Sequence, residues 1–145
     1  MNHLSEEWQI EFYADEHGRE PVREWMEDLS TQKRMALEAA ISVVLAERGL
    51  DVVDTEYGKA LGQGLNEFRL RWTAAEVRSK AGRVSDDASA KSEKILLRVF
   101  FCTAGRKIIL LLHGYDKAQH NGTRRQQQEI QHARRLLRES RTRNR

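Results

Sequence analysis

The sequence predicts an α+β domain ordered β-α-α-β-β-β-α, a small, mainly antiparallel sheet flanked by an N-terminal helical hairpin and a C-terminal helix. Three observations predict it. Apolar residues recur at helical spacing early in the chain and again at its end. Between these stretches the period changes to two. Two long apolar runs are joined by a short glycine-bearing turn, as in a buried hairpin. Helices first and last with a strand meander between them fit a segregated α+β architecture.

Each element has its own signal. Trp8-Gln9-Ile10-Glu11-Phe12-Tyr13 alternates apolar and polar residues, which suits a half-buried strand. Pro21 suits the first helical position, where its missing N–H costs nothing. Val22, Trp25, Met26 and Leu29 then form one apolar stripe. Ser30 or Thr31 suits the cap of a second helix, with Leu37, Ile41, Val44 and Leu45 facing the core and Gly49 ending it. The pair Gly62 and Gly64 turns the chain into a strand with Phe68, Leu70 and Trp72 on one face and Glu67, Arg69 and Arg71 on the other. Ile95–Cys102 and Lys107–His113 are the hairpin strands, joined by Thr103-Ala104-Gly105-Arg106. Thr123 and Gln126 have capping-box spacing for a last helix with Ile130, Ala133, Leu136 and Leu137 inward.

At 145 residues the chain is expected to form a single domain over 1–145. A polar insertion spans 73–94, and Thr73 and Glu76 suit a brief helix within it. The basic tail over 139–145 is expected to fray. Hydrophobic residues are 39% and charged residues 32%, which leaves one modest core. The longest aliphatic run, Ile108–Leu112, is far too short to span a membrane. The polar start, Met1 to Glu7, does not read as a secretory signal, so the expected location is cytoplasmic and away from membranes. A single cysteine, Cys102, excludes an internal disulfide framework and a multi-cysteine zinc site. It lies in an apolar strand and reads as a buried thiol.

The net charge is only +3, but it is unevenly spread. Residues 1–31 hold nine carboxylates against two arginines, and residues 116–145 hold nine cationic side chains against three carboxylates. A basic end of this kind suits a polyanion. The sequence contains no H-E-x-x-H, P-loop or G-x-S-x-G motif. His113 and His120 come without a carboxylate pattern, so neither a metal nor a cofactor is expected.

The placement of cations is the unusual feature. Arg69 and Arg71 share a strand face, Arg98 interrupts a core strand, Lys117 follows the next strand, and Arg124 and Arg125 open the last helix. Each cation has an ordinary reading as a salt bridge, with Glu67, Glu93 or the acidic N-terminal segment as partners. For Arg98 that reading is least attractive, because a buried guanidinium cannot shed its proton and demands partners or an anionic ligand. A cluster of this kind suits a phosphodiester. Cleaving RNA through its own 2′-hydroxyl requires proton removal, stabilisation of charge on phosphorus and protonation of the 5′-oxygen. Arginines supply the second. A histidine, or a lysine crowded by cations, suits the proton steps. The nucleophile belongs to the substrate, so no metal is required.

Several segments together resemble the RelE/HigB superfamily of toxin–antitoxin ribonucleases, in particular its phage-derived HigB-like branch. They are W-Q-I-E-F-Y at Trp8–Tyr13, R-E-P-V-R-E-W at Arg19–Trp25 and G-K-A-L-G-Q-G-L-N-E-F-R-L-R at Gly58–Arg71. The others are L-R-V-F-F-C at Leu97–Cys102, I-L-L-L-H-G-Y-D-K at Ile109–Lys117 and E-I-Q-H-A-R-R-L-L at Glu129–Leu137. The resemblance runs from Trp8 to about Leu137. It implies a compact sheet flanked by helices, cleavage of mRNA on the translating ribosome, and silencing by a cognate antitoxin of helix-turn-helix type. It also implies that Arg98 contacts the scissile phosphate, with Arg69 and Arg71 on the basic second strand and Lys117 just after the fourth. The expected catalytic group is therefore Arg98, Lys117, Arg71 and His120, and the expected RNA-binding group is Arg69, Lys59, Arg124 and Arg125.

The chain departs from that branch at three places. Asn66 stands where an aromatic residue is usual, and 73–94 is longer than the usual hairpin connection. Ala118-Gln119-His120-Asn121-Gly122-Thr123 replaces the usual further lysines and Thr-Pro. His120 is the expected substitute for the group lost there. The same departures favour a second reading, a catalytically weakened or non-enzymatic protein on this fold that binds nucleic acid or a partner. A third reading makes the acidic surface around Glu24, Glu27 and Asp28 the contact face of an interaction module.

Overall fold

The computed structural model describes residues 7–73 and 94–143. It is an α+β fold built on one five-stranded sheet. The strands are β1 (Gln9–Phe12), β2 (Gly58–Gly62), β3 (Leu65–Thr73), β4 (Lys94–Thr103) and β5 (Ile108–Asp116), in the order β1-β5-β4-β3-β2. Every pairing is antiparallel except β1 with β5. Helices α1 (Pro21–Asp28) and α2 (Thr31–Ala40) come first, and the path of α2 continues through a π turn (Ile41–Leu45) into α3 (Ala46–Arg48) and a 3-10 turn (Gly49–Asp54). The last helix, α4 (Thr123–Arg143), closes the chain.

Local signals act where the sequence placed them. Pro21 opens α1. The Ser30 hydroxyl caps α2 by accepting from the Lys33 N–H at 3.2 Å. Gly49 takes a φ of +54° at the end of α3, a conformation that glycine adopts without strain.

Four expectations need correction. The sheet has a fifth strand, β2, paired antiparallel with β3 through the Gly62-Gln63-Gly64 turn. β5 runs on through Gly114 to Asp116 instead of ending at His113, because Gly114 leaves room for the Trp25 ring, which a Cβ there would overlap. α4 begins at Thr123 itself, so Thr123 sits inside the first turn and the capping box does not form. The basic tail stays helical through Arg143. Ser140 is buried, Arg141 donates to the Gln63 carbonyl at 3.2 Å and Arg143 donates to the Ala14 carbonyl. The expected insertion and its brief helix lie outside the described residues, apart from Thr73 and Lys94, which pair across β3 and β4.

The sheet carries a core on each face. Val22 and Met26 of α1 and Leu37, Ile41, Val44 and Leu45 of α2 and its continuation pack against Phe68, Leu70, Leu97, Val99, Phe101 and Leu111. On the other face Ala133, Leu136 and Leu137 of α4 cover Leu65, Phe100, Cys102 and Leu112. A β-bulge links the two faces. Phe100 pairs with His113 but Phe101 pairs with Leu111, so Leu112 is an extra residue and both it and His113 turn toward α4. Two arginines fasten α4 to the β2–β3 turn: Arg134 donates to the carbonyls of Leu61 (2.7 Å) and Gly62 (3.1 Å), and Arg141 to that of Gln63.

Candidate phosphate-binding face

The sheet register assembles the site. Arg69 pairs with Arg98, and Arg98 pairs with Tyr115. Residues directly opposite one another share a face, so the three side chains stand in one row across β3, β4 and β5. The next row toward the strand ends is Arg71, Leu96 and Lys117. Arg71 pairs with Leu96, and the Lys117 N–H donates to the Leu96 carbonyl at 2.9 Å. The row on the opposite side is Lys59, Glu67, Phe100 and His113. This is the face that α4 covers, but α4 covers the Phe100 end. Arg71 is exposed and Lys117 half-buried, so the Arg71–Lys117 end is the one α4 leaves uncovered.

Arg69, Arg71, Arg98 and Lys117 are thus brought together from three strands. Glu67 is the carboxylate set among them, fully buried. Arg69 Nε donates to Glu67 Oε1 at 2.7 Å, and Arg98 Nη1 lies 3.9 Å from the same oxygen. Arg71 and Lys117 have no carboxylate within ion-pair distance among the described residues. Among the described residues, four cations therefore face one carboxylate. The electrostatic consequences follow the geometry. Burial works against the Arg98 charge, with Arg69 and Arg71 adding to that and Glu67 opposing it. Partial burial holds the Lys117 ammonium below its usual range, and repulsion from Arg98 and Arg69 pushes it the same way. Burial, then Glu67, raises the Tyr115 phenol, so it stays protonated at neutral pH.

Three buried polar atoms in this group have no hydrogen-bond partner among the described residues: Arg98 Nη1, Glu67 Oε2 and Tyr115 Oη. Arg98 is 5% exposed, Tyr115 3% and Glu67 0%. Buried polar atoms are nearly always paired, so three orphans in one cluster mark a place where a ligand can complete the bonding.

The other expected site residues are placed differently. Lys59 lies exposed on β2, on the same face beside Glu67. Arg124 is exposed in the first turn of α4, and Arg125 is held by Glu129 at 2.8 Å. His120 does not join the Arg98 cluster through any contact among the described residues. The Asp116 carboxylate accepts from the Ala118 N–H at 3.0 Å and is fixed by Lys33 Nζ at 2.6 Å. The turn it organises leaves His120 exposed, its N–H donating to the Asp116 carbonyl at 3.0 Å. His120 instead lines a neighbouring cleft with Trp25, His113, Tyr115 and Arg125. The strong tail cations are also largely engaged within the fold, as Arg134 and Arg141 show. Among the described residues no group of histidine, cysteine and carboxylate side chains sits close enough to hold a metal ion. Cys102 is buried and its thiol is pushed up to about 11, which keeps it protonated.

Sequence reasoning treated Glu67 only as a salt-bridge partner and passed over Tyr115. The strand alternation already placed Glu67 among the arginines. Tyr115 carried no signal, because its strand was expected to end two residues earlier.

Beside the site, His113 donates to Glu129 and stacks on Phe100, with ring centroids 5.9 Å apart, while His132 meets it edge-on at 4.5 Å. Burial holds both imidazoles below their usual 6.5; Glu129 works against that for both, and Arg135 adds to it. Arg125 also pushes His113 down. The unfolded chain therefore takes up these protons first as pH falls. The stability is complete above about 6.5 and is lost as pH drops through the folded values. Thermal melts from about pH 7.5 to 5.5 are expected to show a falling midpoint, with a shallower fall in His113→Gln. Parallel curves for the two proteins would contradict this assignment.

Scans against models of protein families and searches of curated proteins and of solved structures give no match to this chain. Among the described residues no helix is long and apolar enough to cross a membrane.

Proposed function

We propose that this protein is the toxin of a type II toxin–antitoxin system, a cytoplasmic, metal-independent endoribonuclease of RelE/HigB type. It cleaves mRNA on the translating ribosome by attack of the substrate's own 2′-hydroxyl and is neutralised by a cognate antitoxin. The observation that supports this reading best is the excess of positive charge on one sheet face, where Arg69, Arg71, Arg98 and Lys117 surround a single carboxylate among the described residues. Such an array, fixed by a sheet before substrate arrives, is suited to the extra negative charge of a phosphorane-like transition state. His120 is not needed for that role.

One observation favours a second reading. Glu67 partly neutralises Arg69 and Arg98, as it would in a protein that binds RNA or a partner without cutting it. The experiment that separates the two is induction with and without the adjacent gene, followed by mapping of mRNA 5′ ends. New ends, and growth arrest relieved by the neighbour, are expected. Intact mRNA in an active translation mixture, with salt-sensitive RNA binding, would favour the binding reading.

A further inference from the structure

We propose that Glu67 and Tyr115 complete the reaction centre: Glu67 Oε2 takes the proton of the ribose 2′-hydroxyl, and Tyr115 Oη joins Arg98 Nη1 in donating to the phosphate. This rests on the endoribonuclease reading and names the groups that make its site selective for RNA.

The orphaned atoms define what the site lacks. They comprise two donors, Arg98 Nη1 and Tyr115 Oη, and one acceptor, Glu67 Oε2. Arg98 and Tyr115 are ladder partners, and Glu67 stands one step away on the same face. The complement of such a set is a group with anionic oxygens and a hydroxyl donor beside them. A ribose phosphodiester has both, whereas a deoxyribose phosphodiester lacks the hydroxyl. Glu67 is already oriented, since Arg69 Nε holds its other oxygen at 2.7 Å. Tyr115 keeps its proton and is fixed by its ring, which lies parallel to Phe100 with centroids 6.0 Å apart.

The step balances. The 2′-hydroxyl proton passes to Glu67 Oε2 as the 2′-oxygen bonds to phosphorus. The phosphorus–O5′ bond breaks, and its electron pair leaves on the 5′-oxygen, which takes a proton from the Lys117 ammonium. The products are a 2′,3′-cyclic phosphate and a 5′-hydroxyl, with nothing oxidised or reduced. Lys117 suits the acid role because its surroundings already weaken its hold on the proton.

Stability and activity separate this role from a structural one. Tyr115→Phe removes a buried hydroxyl that has no partner, so its melting temperature is expected to equal or exceed that of the native protein. Its mRNA cleavage in a translation mixture is expected to fall about 10–100-fold, the worth of one hydrogen bond to a charged group. Glu67→Gln is expected to lose ~10²–10⁴ in rate. If native protein cleaves and both variants cleave as fast, the assignment is wrong while the endoribonuclease reading stands. If both variants lose cleavage only in proportion to lost melting temperature, the two residues are structural. If native protein leaves mRNA intact, the reading fails and this assignment falls with it.

Discussion

Arg98→Ala is expected to slow mRNA cleavage by ~10²–10³, the cost of removing one preorganised contact to transition-state charge. The chain is expected to stay folded, with only a modest fall in melting temperature. Arg98 is buried, and its nearest carboxylate oxygen, Glu67 Oε1, lies 3.9 Å from it and is already held by Arg69 at 2.7 Å. The guanidinium is therefore desolvated without full repayment from an ion pair, so the charge lost with it offsets part of the cavity that Ala leaves, and Arg98→Met, which keeps the volume, is expected to melt no lower than the native protein. An enzyme residue placed for its ligand has this signature of high activity cost and low stability cost. Arg98→Lys keeps the charge but loses the planar fork, so it is expected to recover only part of the rate. Arg106→Ala, in the exposed β4–β5 turn, serves as the control and is expected to leave the rate unchanged. Cleavage rates and melting curves for the same preparations check this. A variant that loses rate and fold together would place Arg98 in the framework instead.

Phe100→Ala is expected to cost about 3–5 kcal/mol of stability, as for other fully buried phenylalanines. For a chain of this length that lowers the melting midpoint on the order of 10 °C. Phe100 is 0% exposed at the bulge, its ring parallel to those of His113 and Tyr115 on β5, and it packs with Ala133, Leu136 and Leu137 of α4. Removing its ring leaves a cavity between the sheet and α4 and takes away the surface that orients Tyr115. Cleavage is therefore expected to fall even at temperatures where the variant remains folded. Phe100→Leu, which keeps most of the volume, is expected to cost less in both respects. A Phe100→Ala protein that melts within a degree or two of the native one would contradict the packing described for this face.

Much of the fold could be read from the sequence, because periodicity reports burial. The alternation of Phe68, Leu70 and Trp72 with Glu67, Arg69 and Arg71 sorted the two faces of β3 correctly, and the stripe Ile130–Leu137 marked the inner side of α4. β2 escaped notice because Gly58-Lys59-Ala60-Leu61-Gly62 is an edge strand with mostly exposed side chains, so it has no buried face to leave a pattern. β5 read as too short because Gly114 looks like a terminator. In the structure that glycine admits Trp25 from α1, a tertiary contact that no local rule contains. The site was half legible for the same reason. Arg69, Arg71, Arg98 and Lys117 stood out as cations in strands or at a strand end, and the register does bring them together. Their shared dependence on Glu67, the orphaned Tyr115 hydroxyl and the cleft that His120 shares with Tyr115 depend on pairing and bulge geometry, which the sequence does not display. The arginines of α4 misled in the opposite direction. Arg134 and Arg141 belong to the basic end of the chain that suited a polyanion, but both are bonded to turn carbonyls.

The account depends on a phosphate seated among Arg98, Lys117 and their neighbours. The most direct measurement is the salt dependence of binding to a single-stranded RNA that carries one 2′-deoxy residue at the cleaved position and so cannot react. Fluorescence anisotropy would compare native protein, Arg98→Ala and Lys117→Ala. Each variant is expected to bind more weakly and to lose about 0.7 from the slope of log affinity against log salt, the loss of one phosphate contact. Slopes and affinities identical to those of the native protein would mean that the phosphate is not bound on this face.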